Sequence, residues 1–109
     1  MSRIADTDLR VVMDSITSVF TFTPEKYPAM RGMIFPRRQE FAVDHSIKHA
    51  MKTVGKLAAQ SESRDHGGHE DYDSLRTDTI KLVITALNLA HVLGIRPEDL
   101  PELIRKEVK

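Results

Sequence analysis

The sequence predicts an all-α protein. Apolar residues recur at helical spacing through three long stretches, no stretch alternates as a strand would, and proline and glycine gather between the stretches. At 109 residues the chain is one domain, since domains typically run to about 100–150 residues.

The first helix is expected from Asp6 or Asp8, either of which caps a helix through its carboxylate. Leu9, Val12, Met13, Ile16, Val19 and Phe20 follow the i, i+3, i+4, i+7 pattern. It stops soon after Phe20, where β-branched and aromatic residues lead into Pro24. Residues 22–36 hold three prolines and Gly32, yet Phe22, Tyr27, Met30, Met33, Ile34 and Phe35 make them too apolar for a linker. An ordered connection packed across the bundle is expected.

The second helix is expected over residues 37–61. Val43, Ile47, Ala50, Met51, Val54, Leu57 and Ala58 share one face, and His45, His49, Lys52 and Lys56 lie opposite. Residues 62–73 carry five acids and a Gly-Gly pair with almost no apolar content, the composition of a mobile, solvated loop.

The third helix is expected over residues 74–93, with Ser74 as its cap and Gly94 as its left-handed C-terminal residue. It is apolar nearly all round, except for a polar stripe of Thr77, Asp78, Lys81, Thr85 and Asn88. A helix apolar on several sides needs more interior than this chain provides, so a subunit interface is implied. A short last helix follows, with Pro97 in its first turn and Leu100, Leu103, Ile104 and Val108 apolar.

Composition narrows the function classes. Sixteen basic residues balance sixteen acidic ones, which argues against a general nucleic-acid binder. Without cysteine there are no disulfides, thiolate metal sites or cysteine nucleophiles. No apolar run approaches the roughly 20 residues of a membrane span, and the N-terminal residues lack a secretory apolar region, so a cytoplasmic location is expected. The neutral sum conceals an asymmetry. Residues 26–56 hold seven basic groups against Glu40 and Asp44, whereas residues 62–73 hold five acids against Arg64.

Candidate chemistry lies in three places. Asp78, Lys81, Thr85 and Asn88 either line an interhelical cleft, or Asp78 and Lys81 form an i, i+3 ion pair on the one wetted side of the third helix. His45 and His49 share a helix face as two metal ligands would, with no obvious third ligand and with Lys48 and Lys52 close by. His66, His69, Glu70, Asp71 and Asp73 crowd a loop that Gly67 and Gly68 leave unorganised.

Residues 41–59 and 75–107 resemble the MazG-like family of all-α nucleoside triphosphate pyrophosphohydrolases. The likeness rests on VGKLAA (residues 54–59), a variable loop, the apolar LVITALNLAHVLGI (residues 82–95) and RPEDLPELI (residues 96–104). The resemblance implies a four-helix bundle completed by homodimerisation, or by a dimer of dimers, through the third helix. It also implies that the family's Mg²⁺-holding acids, an E-E-x-x-E set and an E-x-x-D set, fall on Lys52, Thr53 and Lys56, and on Asp78 and Lys81.

Only Asp78 is acidic there, and three of the five positions are lysine. Mg²⁺ needs oxygen ligands, usually including carboxylates, and three ammonium groups repel it. The expectation is therefore a non-catalytic, cofactor-free module. In it Lys52, Lys56 and Lys81, with Asp78, Asn88 and His49, receive a phosphate-bearing small molecule or an acidic partner. One alternative is a divergent pyrophosphohydrolase whose Mg²⁺ is held by Glu40, Asp44, Asp78, Glu70 and Asp71. Another is a purely structural dimerisation or interaction protein, with residues 22–36 as the contact surface.

Overall fold

The computed structural model describes residues 2–68 and 71–108, with the side chains of residues 2–7 excepted. The described residues form four α-helices and one short 3₁₀ turn, with no strand: α1 (Ser2–Val19), the 3₁₀ turn (Pro28–Met30), α2 (Phe35–Asp65), α3 (Tyr72–Val92) and α4 (Leu100–Val108). No helix among them is long and apolar enough to cross a membrane.

The chain is built on an antiparallel hairpin of α2 and α3, which make most of the interhelical contacts. Gln60 near the end of α2 meets Ser74 and Asp78 near the start of α3, and Gln39 near the start of α2 donates to the Val92 carbonyl at the end of α3. The expected loop over residues 62–73 is shorter than composition suggested. Helix α2 continues through Glu62, Ser63, Arg64 and Asp65, because charged residues at a helix end remain solvated and keep their backbone bonds.

The Gly-Gly pair is the stop signal rather than a flexible spacer. Gly67 adopts φ +90° and its N–H donates to the Arg64 carbonyl, while the Gly68 N–H donates to the Ser63 carbonyl at 2.8 Å. This is the Schellman closure, which satisfies carbonyls the helix would leave orphaned. A Cβ on Gly68 would lie 2.9 Å from the Ser63 carbonyl oxygen, so only glycine fits there. The expected αL residue Gly94 closes α3 in the same way, with φ +84° and bonds from Gly94 to His91 and from Ile95 to Ala90.

Two expected caps are displaced. Asp71, not Ser74, caps α3, its carboxylate accepting from the N–H groups of Asp73 and Ser74. Helix α1 begins at Ser2 and runs through both Asp6 and Asp8. Pro97 lies in the turn before α4, which starts at Leu100. There the Arg96 guanidinium bonds Asp99 at 2.9 Å, and Arg10 of α1 reaches Glu98 at 2.9 Å, which ties α1 to that turn.

The hairpin packs along the border between the polar and apolar stripes of α2 and along part of the polar stripe of α3. Helix α2 buries Ala42 and Ser46, and α3 buries Asp78, Asn88 and Ala90. The face of α2 expected to form the core is turned in only in part: Val43, Ala50 and Leu57 are half-buried, but Met51 is 68% exposed, Val54 48% and Ile47 43%. Ile80 and Val83 of α3 are exposed too. Of the polar stripe of α3, Asp78 and Asn88 are buried and Thr85 is half-buried, while Thr77 and Lys81 stay exposed.

Apolar closure comes from α1 and the connection after it. Met13 and Ile16 of α1 are buried, α1 packs on α3, and Met30 of the 3₁₀ turn is almost fully buried. The connection is thus packed through Met30, Phe22, Tyr27 and Met33, whereas Ile34 (69%) and Phe35 (75%) remain exposed. Lys26 reaches back to the last turn of α1, donating to the Val19 carbonyl at 2.6 Å, where a cation complements the helix dipole.

The chain alone is expanded for its size. Its radius of gyration is 16.6 Å, against about 13 Å for a compact domain of this length. Its accessible surface is 8144 Å², about 2,000 Å² above the roughly 6,100 Å² that area scaling gives a monomer of this mass.

Candidate functional site

A cleft of about 310 Å³ lies between α2, α3 and the end of α1. That lies at the lower end of the roughly 300–1,000 Å³ typical of small-molecule sites. Its two ends differ in chemistry. At one end, Phe20, Phe22, Tyr27 and His45 form an aromatic wall with Ser46 at its base. At the other, Lys52, Lys56 and Lys81 line the walls, with Thr53 and Thr85 between them. Ser46 and Lys56 are ten residues apart on α2, so the cleft extends about 15 Å along that helix.

Helical periodicity builds the cationic end. Lys52 and Lys56 are spaced i, i+4 and project from the same side of α2, while Lys81 faces them from α3. All three are exposed, and none forms an ion pair with a described residue. No carboxylate is among the described residues that line the cleft. Three cationic residues lining one cleft, with no counterion among the described residues, favour an anion there.

The aromatic end is built by the 22–36 connection folding back on α2. Phe22 stacks on Tyr27 with ring centroids 5.3 Å apart, and Tyr27 meets the edge of His45 at 4.7 Å. His45 also stacks on Phe41 and lies 4.8 Å from His49. Burial among these rings, and then the neighbouring His49 and Lys48, push the His45 pKa below its ordinary value. The imidazole is therefore held neutral near pH 7.

Ser46 is the residue that sequence reasoning passed over. It is 3% exposed, it lines the cleft, and its Oγ has no hydrogen-bond partner among the described residues. A buried hydroxyl left unpaired costs about 1–3 kcal/mol, so such a group marks a place for a ligand atom or a water. Its only signal in the sequence is its place one helical turn before Ala50, at the border of the polar and apolar stripes of α2. Since the Ser46 Oγ is bonded to neither His45 nor His49, there is no paired nucleophile and base here.

The expected site residues divide cleanly. Lys52, Lys56, Lys81, Asn88 and His49 all line the cleft. Asn88 is buried and donates to the Phe20 carbonyl at 3.3 Å, which fixes the end of α1 against α3. Asp78 does not line the cleft. It is buried between the helices and accepts from Gln60 at 3.3 Å, so the ion pair with Lys81 is not formed. This carboxylate closes the hairpin beyond the cleft.

The acidic residues considered as metal ligands are scattered. Glu40 is exposed and 3.7 Å from Arg37, Asp44 is exposed, and Asp71 is committed to capping α3. Glu70 lies outside the described residues, as does His69 of the histidine-rich loop. His66 is the C-cap of α2. Among the described residues no three His, Asp or Glu side chains gather as a metal site.

The fold and the cleft define an all-helical hairpin protein with a pocket that is aromatic at one end and cationic at the other. No family model, no curated protein and no solved structure matches the chain.

Proposed function

We propose that the protein is a non-catalytic anion-binding module. A phosphate-bearing small molecule occupies the α2–α3 cleft, with its charges against Lys52, Lys56 and Lys81. One observation carries this reading: the three lysines line a single cleft and have no counterion among its described lining residues. The unpaired Ser46 hydroxyl and the aromatic wall support a ligand with a polar, flat portion joined to its anionic one.

The resemblance to MazG-like enzymes belongs to the same proposal. The cleft residues Lys52, Thr53, Lys56 and Lys81 stand where that family keeps metal-binding acids. With ammonium groups in those places the ligand is held, and the hydroxide that a bound metal generates from water is not formed.

The module works as a homodimer in this account. The outward apolar stripe of α2 and α3, through Met51, Val54, Ile80 and Val83, is the surface covered by the second copy. The excess surface of the chain alone, about 2,000 Å², is ample beside the roughly 800 Å² per partner of a standard interface.

Titration with a panel of nucleotides and inorganic polyphosphates at rising salt tests the binding reading. Saturable binding that weakens with salt is expected. Release of pyrophosphate from a nucleotide, abolished by Asp78→Ala, would replace the reading with a divergent enzyme.

A further inference from the structure

We infer that the cleft takes its polyanion free of divalent metal and discriminates against the Mg²⁺ complex of the same anion. The inference rests on the anion-binding reading above and specifies which form of the ligand is bound.

Two features of the lining carry it. Lys52, Lys56 and Lys81 approach the cleft from two helices, so they offer ammonium donors to phosphoryl oxygens from both walls. No Asp or Glu is among the described lining residues, so no carboxylate there attracts a hard cation such as Mg²⁺. The nearest buried carboxylate, Asp78, is engaged by Gln60 and closes the hairpin outside the cleft.

A polyphosphate in a Mg²⁺-containing solution presents a different object. Mg²⁺ occupies non-bridging oxygens of the phosphates, keeps several waters in octahedral array and removes two negative charges. Bringing that complex to three ammonium groups repels the metal and displaces the oxygens that the lysines would engage. Shedding the metal restores both charge and donor geometry. The lysines thus supply the neutralisation that a metal ion supplies elsewhere, and a metal already on the anion leaves them less charge to neutralise.

The cleft therefore fits a multiply charged anion rather than a single phosphate. Lys52, Lys56 and Lys81 together carry three positive charges, more than one phosphate neutralises.

Calorimetric titration of the whole protein with inorganic tripolyphosphate tests this in two buffers of equal ionic strength. One contains EDTA and potassium chloride, the other an excess of MgCl₂ over the anion. Binding in the EDTA buffer at least tenfold tighter than in the Mg²⁺ buffer is expected, with Lys52→Ala and Lys81→Ala each weakening only the metal-free form. Affinity equal in both buffers, or raised by Mg²⁺, overturns the metal-free claim and leaves the anion cleft standing. No binding in either buffer, from protein whose circular dichroism shows it folded, overturns the anion cleft and this inference together.

Discussion

Gln60 donates from Nε2 to the buried carboxylate of Asp78 at 3.3 Å, and this bond joins the end of α2 to the start of α3. Asp78 is only 7% exposed, so its carboxylate has exchanged water for a protein donor. Gln60→Ala removes that donor and leaves a buried acceptor unsatisfied, at a cost of about 1–3 kcal/mol. Urea denaturation should show the midpoint lowered accordingly. An unchanged midpoint would mean that the bond does not close the hairpin.

Ser46 should behave in the opposite sense. Its Oγ is buried and unpaired in the free protein, so Ser46→Ala deletes an unsatisfied group at little loss of volume. Thermal stability of the free protein should hold or rise, by up to about 1 kcal/mol. Affinity for the bound anion should fall. A loss of stability without ligand would show that the hydroxyl already has a structural partner.

The His45 imidazole gives the protein a defined response to acid. Burial among Phe22, Tyr27 and Phe41 disfavours its charged form, and the adjacent His49 and Lys48 add to this. The folded state therefore binds fewer protons at this site than the unfolded state, whose imidazole titrates near 6.5. Stability contributed here is present above that value and declines as pH falls through it towards the lowered folded value. Melting temperatures across about pH 7.5 to 5.5 should fall, and His45→Phe should flatten that fall. An equal slope in the variant would remove His45 as its source.

Dimerisation through the outward stripe predicts a sharp effect of charge. Met51→Asp and Ile80→Asp place carboxylates on residues already exposed in the single chain, so neither disturbs the hairpin's own packing. Each should shift the sedimentation mass from dimer to monomer. A monomer in the unmodified protein would contradict the assembly, and a dimer in both variants would place the interface elsewhere.

Much of the fold is legible in the sequence, because local chemistry writes it. Gly94 after an apolar helix, Pro24 after a β-branched run and the apolar 22–36 connection each have a local meaning that the structure realises. The 62–73 segment is less legible. Glu62 to Asp65 look like loop by composition, yet charged residues extend a helix as readily as they fill a loop, and Gly67 sets the end.

The orientation of the faces is the least legible feature. Periodicity assigns Met51 and Val54 to one stripe and Lys52 and Lys56 to another, but it does not say which stripe meets the rest of the same chain. An apolar stripe goes inward by default. In this hairpin α2 turns the border of its two stripes, through Ala42 and Ser46, into the packing, so that the lysines stay exposed and still line the cleft. Ser46 and His45 gain their roles only through that rotation, and through Phe22 and Tyr27 arriving from the connection.

The central claim is that Lys52, Lys56 and Lys81 act together on one anion. The most direct measurement is the salt dependence of tripolyphosphate binding, compared between the unmodified protein and the Lys52→Ala, Lys56→Ala and Lys81→Ala variants. Saturable binding is predicted at low salt, weakening steadily as salt rises and weakened further by each substitution at fixed salt. Binding insensitive to all three substitutions, or no binding at low salt by folded protein, would contradict it.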